Sequence, residues 1–409
     1  MVFWSLLLAA LASAQQPVHR PDGLYAEIRT NKGLITARLE ADLTPMTVAN
    51  FVGLAEGTIA NAAFDPGRPF FDGSTFHRVV PGHVIQTGIP QSTRARNPGY
   101  TFPNEIHARL SHNHAGALNM ANSGPHTNAA QFCITLGDRS YLDGDFTVFG
   151  DVVDGLDVVM RIAQGDTVES VRIVRIGAKA EAFHPTTESF QAQVRAAQAR
   201  VAEHEEKKRA AERDWIAAHY PKATGPEGGV LVERLSGAAG APAANAAPLR
   251  IRYRGTEVRY AGMVIGRDGP RLETIAFASG PNGVPGFEDT PQPFNIDPGK
   301  TRLNPGLDSV IAAMHPGERL VAIVPASQGY GRAGSYPPEV PGKRRFVVSP
   351  NALLVYEVEA LADRALAIHG FSQVVVEAVT VTDNNGRPIE GLTAKDFMVT
   401  ESGKRQRLV

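Results

Sequence analysis

Phe76-His77-Arg78-Val79-Val80-Pro81-Gly82 is followed by Gln86, then by Asn119-Met120-Ala121-Asn122 and Gln131-Phe132. These segments set one arginine beside several neutral amides and contain no nucleophile, carboxylate pair or metal-ligand cluster. Such a set suits a reaction that breaks no covalent bond, and rotation about a peptide bond preceding proline is one. Resonance gives the peptide bond a rotation barrier of about 18–20 kcal/mol, and X-Pro bonds cross it slowly while their two isomers differ little in energy. A catalyst must therefore favour the twisted bond over both planar forms. As the bond twists, the prolyl nitrogen loses conjugation and recovers a lone pair, to which a guanidinium donates without transferring a proton. Arg78 is the candidate donor. A hydrogen bond from a charged group is worth about 1.5–3 kcal/mol, roughly one to two decades of rate, so positioning must supply the remainder.

Three separated segments, FHRVVPGHVIQTG, ALNMANSGPHTNAAQF and YLDGDFTVFG, resemble the cyclophilin family of peptidyl-prolyl isomerases in order and spacing, over about Tyr25 to Ile176. The resemblance implies a closed antiparallel β-barrel with flanking helices, no cofactor, and substrates that are unfolded or flexible proline-containing polypeptides. It implies that Gln86 and Asn122 hold the substrate backbone beside Arg78, Gln86 through its side-chain amide and Asn122 through its backbone. The proline ring would sit among His83, Val84, Ala121, Gln131, Cys133, Leu142 and Phe146. Family members usually carry phenylalanine where His83 and Cys133 stand and methionine at Val84, so this pocket reads as wider and more polar. Tyr141 stands where drug-sensitive members often have tryptophan, which implies weak cyclosporin binding. Cys133, the only cysteine, reads as a small buried hydrophobe.

His107, His112 and His114 invite a metal reading, but no further ligand completes a known spacing, and none is expected. Lys plus Arg number 41 against 42 Asp plus Glu, a balance that argues against a nucleic-acid partner. At 409 residues the chain should hold two or three domains. Val2 to Ala12 form an apolar run ending in Ala12-Ser13-Ala14, the pattern of a secretory signal peptide over residues 1–20. It implies export to the periplasm or the cell exterior, and an uncleaved, tethering N-terminal helix is the competing reading.

After the first domain, taken as 21–180, strand-like alternation gives way to Ala, Glu, Lys, Arg and Gln. Pro185-Thr186-Thr187-Glu188 supplies a helix start and Pro221 a stop, so 181–221 reads as one long helical linker. Phe190, Val194, Ala197 and Val201 mark one apolar stripe, and Trp215 with Ile216 another. The polar stretch between them, EHEEKKRAAER, is expected to face solvent as a stiff spacer.

From about Gly228 to Leu361, within a second domain taken as 222–363, VRYAGMV, PFNIDPGKTRLNPGLDSVIAAMHPGERLVAIVPASQGYG and NALLVYEVEAL resemble the FKBP family. That implies an α+β antiparallel sheet with one short helix and an aromatic cup for proline. IRYRG and VRYAG are near duplicates, so either Tyr253 or Tyr260 fits the family's tyrosine; Tyr260 is preferred because Met263 and Asp268-Gly269 follow it. The remaining cup positions are Leu272, Glu273, Phe294, Leu303, Asn304, Leu307, Tyr330 and Tyr356. Asn304 is the awkward member, because an unpartnered amide in an apolar cup costs about 1–3 kcal/mol. Residues 364–409 read as a β-hairpin segment turning at Asn384-Asn385-Gly386, similar to the opening of secreted proteins related to von Willebrand A domains. The whole reads as an exported isomerase that assists folding. Its rival is a non-enzymatic chaperone or scaffold that binds extended proline-containing segments.

Overall fold

The computed structural model describes residues 20–90, 95–237, 249–261, 271–280, 283, 285–286, 290–296, 303–335, 347–361, 399–401 and 404–406. Residues 1–19, and with them the expected leader, lie outside the described residues. No described helix is long and apolar enough to cross a membrane.

Eight strands form the first sheet: β1 (Gly23–Thr30), β2 (Gly33–Leu39), β3 (Arg78–Val80), β4 (Val84–Thr87), β5 (Ala117–Met120), β6 (Phe132–Thr135), β7 (Val148–Asp154) and β8 (Val168–Ile176). Their order is β3-β4-β6-β5-β7-β2-β1-β8. The expected closed barrel is corrected here to a curled half-barrel, with β3 and β8 as the two ends of an open path. β3 and β8 share no ladder, and the chain just before each of them meets in one isolated bridge, Thr75 to Thr167. Helix α1 (Pro45–Glu56) is buried along nearly its whole length in the hollow of the sheet. There Phe51 packs against Phe71, Phe132 and Phe149 at 5.1, 5.3 and 5.3 Å between ring centres.

Thr44 offers α1 no side-chain cap. The buried Glu105 does so instead, accepting from the Met46 and Thr47 amides at 3.2 and 2.8 Å and from the Thr47 hydroxyl at 2.9 Å. A carboxylate suits this place, because the first N–H groups of a helix lack intrahelical partners. Two short helices, α2 (Leu156–Arg161) and α3 (Ala178–Glu181), flank β8.

Helix α4 (Thr187–His219) opens with a capping box between Thr186 and Ser189. Phe190 and Ala197 are buried in the first core, Phe190 lying 5.4 Å from Tyr100 and 5.7 Å from Phe102. Trp215 and Ile216 pack on the cluster of Val258, Val321, Ile323, Leu353 and Val355 in the second. The expectation that its polar middle faces solvent holds for Glu203, Glu206, Lys207, Arg209 and Arg213 and is corrected for the side that carries His204, Lys208 and Glu212. His204 packs on Tyr260 with ring centres 5.0 Å apart, and Lys208 donates to the Asn351 carbonyl at 2.6 Å. The side chains of Lys208 and Glu212 retain only 13% and 15% exposure. Long charged side chains can cover such a surface with their stems while pairing with one another, which composition alone does not reveal.

The second sheet contains β9 (Leu231–Ser236), β10 (Leu249–Ala261), β11 (Arg271–Ser279), β12 (Pro285–Gly286), β13 (Phe294–Ile296), β14 (Arg319–Val324) and β15 (Leu353–Ala360). It runs β12-β11-β10-β15-β14-β9, with β13 also paired to β10. One face carries α4. The other carries the short helix α5 (Pro305–Ile311) over a core of Tyr253, Phe277, Phe294, Leu307 and Tyr356. The described C-terminal part is a separate unit, an antiparallel pair of β16 (Val399–Glu401) and β17 (Lys404–Gln406). The expected turn at Asn384-Asn385-Gly386 lies outside the described residues.

Two stability predictions follow from these contacts. Glu105→Ala strips the α1 cap and leaves buried donors unpaired, so denaturant unfolding should show a loss of about 1–3 kcal/mol. Burial pushes the Glu212 carboxyl up to about 7, with Glu205 adding to the rise and Lys208 and Arg209 opposing it. The folded chain therefore holds that proton more tightly than the unfolded chain, and this contribution is complete below the ordinary value of 4.5 and lost as pH climbs through about 7. Glu212→Gln should accordingly be more stable than the parent above pH 7 and show a flatter profile below it. Urea midpoints across that range check this, and parallel profiles for the two chains would contradict it.

Candidate active site

Strand register brings the first set of residues together. Arg78 on β3 faces Gln86 on β4, Gln86 faces Cys133 on β6, and Cys133 faces Asn119 on β5. Arg78 donates to the Gln86 Oε1 at 3.4 Å, and Gln86 donates through Nε2 to the Gln131 Oε1 at 2.8 Å. His77 also bonds the Gln131 side chain, and burial, with Arg78 and Arg96 nearby, holds its imidazole below the usual value. His77 was part of the sequence motif but was not singled out. Its place beside the row comes from the hydrogen bond to Gln131, a contact that the linear sequence does not display. Arg78 itself is exposed and forms no ion pair among the described residues, so its donors remain available.

Asn122 is arranged differently. Its side chain donates to the Asp145 carbonyl at 2.9 Å and accepts from the Gly124 amide at 3.2 Å. With both ends of the amide engaged, what Asn122 can offer a ligand is its backbone. Ser123 and Thr127 close the same loop, the Ser123 amide donating to the Thr127 hydroxyl at 2.9 Å. Gln86, Ala121, Asn122 and Gln131 line one cavity of about 560 Å³ together with Asn97, Gly99, Tyr100, Thr101, Ser123, Thr127 and Ala129. The 97–101 wall was missed in the sequence because it has no distinctive chemistry. The Tyr100 hydroxyl donates to Asn50 Oδ1 at 2.8 Å, fixing that wall to α1.

His83, Val84, Cys133, Leu142 and Phe146 do not line that cavity. Val84, Cys133 and Leu142 are buried, while His83 and Phe146 are half-buried. Burial pushes the Cys133 thiol up to about 12, so it remains protonated and poorly nucleophilic. His83 stacks on Tyr141 with ring centres 6.2 Å apart, and the Tyr141 hydroxyl lies 3.2 Å from His83 Nδ1. A hydrogen-bonded His–Tyr pair thus stands at a position that the sequence reads as more polar than its relatives. Among the other histidines, His112 Nδ1 lies 2.6 Å from Asp143 and His114 Nε2 lies 2.7 Å from Asp151.

In the second domain the preference for Tyr260 is corrected to Tyr253. Seven positions separate the two on β10, and an odd separation turns a strand residue to the opposite face. Tyr253 is buried against Phe277, Phe294 and Tyr356, with ring centres 6.3, 6.2 and 5.2 Å away. Tyr260 faces α4 instead. Leu272 pairs with Tyr260 and packs on the α4 side, so it is corrected out of the cup, whereas Glu273 pairs with Arg259 on the face that carries Tyr253 and Phe277. Phe294, Leu303, Leu307, Tyr330 and Tyr356 do contribute to this core. Asn304 caps α5, accepting from the Leu307 amide at 2.9 Å, and donates to the Tyr356 hydroxyl at 3.0 Å. Its buried amide is therefore satisfied. Burial raises both the Tyr330 and Tyr356 phenols above their ordinary value, and Tyr330 bonds to both Asn304 and Tyr356.

Comparison with known proteins agrees with this architecture. Residues 25–178 match the family model "Cyclophilin type peptidyl-prolyl cis-trans isomerase/CLD", and residues 273–361 match "FKBP-type peptidyl-prolyl cis-trans isomerase". Neither match reaches the C-terminal segment, and the resemblance of that segment to von Willebrand A-related proteins gains no support. "Probable peptidyl-prolyl cis-trans isomerase A" of Mycobacterium leprae is 46% identical over 133 residues, 32% of this chain and 73% of that protein. "Peptidyl-prolyl cis-trans isomerase ppi1" of Schizosaccharomyces pombe is 42% identical over 139 residues, 33% of this chain and 83% of that protein. "Peptidyl-prolyl cis-trans isomerase B" of Streptomyces anulatus is 41% identical over 133 residues, 32% of this chain and 76% of that protein. With its arginine and amides brought side by side by strand register and these relatives in common, the chain belongs to the cyclophilin-type peptidyl-prolyl cis-trans isomerases, and it carries an FKBP-type domain behind the first.

Proposed function

We propose that the first domain turns X-Pro bonds of exported polypeptides, assisting their folding, with Arg78 as the donor to the prolyl nitrogen. The row formed by Arg78, Gln86 and Gln131, ending at the Asn122 loop, carries this reading. A bound segment would lie along the row. The Asn122 backbone would hold its amide groups, Gln86 would orient the carbonyl side of the X-Pro bond, and Val84, Cys133 and Leu142 would supply apolar surface near the ring. Because the Gln86 amide is already held by Gln131, little side-chain freedom remains to be lost on binding, which favours a preorganised site. No step requires a cofactor or metal. The export part rests on the Ala12-Ser13-Ala14 pattern after an apolar run, and cell fractionation would test it.

The second domain supports a different emphasis. Asn304, Tyr330 and Tyr356 satisfy one another in its cup, a polar floor that suits holding an extended segment better than gripping a bare proline ring. We assign it to client binding, which is the chaperone reading confined to one domain.

Arg78→Ala should lower kcat for a proline-containing test peptide by about 10- to 100-fold, the value of one charge-assisted hydrogen bond. It should leave intact the suppression of aggregation of a client that lacks critical prolines. An unchanged kcat would remove Arg78 from the mechanism.

A further inference from the structure

His126 sits in the loop that carries Asn122, yet it neither lines the cavity nor belongs to the arginine–amide row. Its backbone is left-handed at φ 61°, one of two described non-glycine residues with positive φ. Two hydrogen bonds clasp it to Asn104. Its amide donates to Asn104 Oδ1 at 3.1 Å, and its ring Nδ1 accepts from the Asn104 amide at 3.2 Å. Asn104 in turn accepts from Asn128 Nδ2 at 3.0 Å and donates through Nδ2 to the Asp145 carbonyl at 2.9 Å. That carbonyl is the one to which Asn122 donates. His126 and Asn122 therefore meet through two side-chain amides on one carbonyl oxygen.

The role of Nδ1 as acceptor fixes the proton of the neutral ring on Nε2. A second proton on Nδ1 would set N–H against N–H at the Asn104 amide and break the clasp. The ring is largely buried, and burial holds its value below 6.5. The charged groups that face it come from α4, namely Glu205, which raises the value, and His204, which lowers it, and from the second domain, where Arg332 lowers it. The second domain also touches this loop directly. A Cβ placed on Gly124 would lie 3.4 Å from the Arg332 carbonyl oxygen, so the two backbones pass close to one another.

We propose that His126 is a positioning residue for the isomerase groove: its neutral ring, clasped to Asn104, holds the Asn122 backbone in the geometry that binds substrate. This rests on the groove being the isomerase site. An interaction that grips ground state and transition state alike changes KM and leaves kcat alone, whereas one made only on twisting changes kcat. His126 and Arg78 should therefore separate in their kinetics.

The test uses the full chain, a proline-containing peptide and a pH series from above 6.5 to well below it. Above pH 6.5, His126→Ala should raise KM by up to about 10-fold with kcat unchanged, the effect of one neutral hydrogen bond. In the parent, KM should rise as pH falls below 6.5, because protonation removes the acceptor. His126→Asn should restore KM and abolish that acid rise, since asparagine tolerates the left-handed backbone and offers a non-titrating acceptor. An unchanged KM in His126→Ala, the absence of an acid rise in the parent, or an acid rise that survives in His126→Asn would each overturn the proposal. If His126→Ala does not fold, the parent and His126→Asn profiles decide it. Arg78→Ala serves as the control: if its kcat is that of the parent, the reading of the groove fails rather than the role of His126.

Discussion

A catalyst that breaks no bond depends on polar groups held in place before the substrate arrives, and in this protein that placement passes through one backbone carbonyl, that of Asp145. It accepts from both Asn104 and Asn122, so the amide of Asn122 is spent inside the protein and its backbone is what remains for a ligand. The same economy governs Gln86, whose NH₂ is engaged by Gln131. Side chains fixed in this way lose little rotamer entropy on binding. Arg78 is exposed and makes one long hydrogen bond, to Gln86, and in the proposed mechanism its remaining donors respond to a lone pair present only in the twisted state.

This arrangement is supported from several sides. Asn104 is followed by Glu105, whose carboxylate caps α1, and α1 in turn packs Phe51 into the aromatic centre beneath the sheet. Asn104, which shares the Asp145 carbonyl with Asn122, is thus adjacent in sequence to the residue that anchors the core helix. On the outer side, α4 places His204 and Glu205 near His126 while burying Phe190 in the first core and Trp215 against the second. Read as a spacer from composition, α4 instead braces both sheets, and its charged middle is partly buried because Lys208 finds a carbonyl and carboxylates nearby.

The sequence made part of the candidate site legible, though His83, Val84, Cys133, Leu142 and Phe146 do not line its cavity. Residue types, their order and their spacing pointed to Arg78, Gln86, Asn122 and Gln131, and strand register does align Arg78 with Gln86. It carried less of the surroundings. The 97–101 wall has no distinctive residue chemistry, the His83–Tyr141 pair depends on a contact across a loop, and the open path of the half-barrel depends on β3 and β8 not pairing, a long-range fact of strand order. In the second domain, two near-identical segments on one long strand invited the wrong choice. Local similarity favoured Tyr260, but the two-residue period of a strand decides the face, and that could be applied only once both segments were known to lie on β10.

The two sites treat a buried amide in the same way and reach different ends. In the first, asparagine and glutamine side chains bind one another or the backbone, which leaves main-chain groups and a guanidinium facing outward. In the second, Asn304 caps α5 and binds Tyr356, and Tyr330 joins them, so the polar atoms of the cup are directed inward at each other. An amide in this position would destabilise the domain if it were unpartnered. Paired, it stabilises the short helix that forms the floor. A ligand that takes a hydrogen bond from this floor must first displace one the protein already makes, whereas a ligand at the Asn122 loop meets a backbone whose own side chain is already engaged. That difference in what is already satisfied is what supports the proposal that the first domain turns the peptide bond while the second holds client.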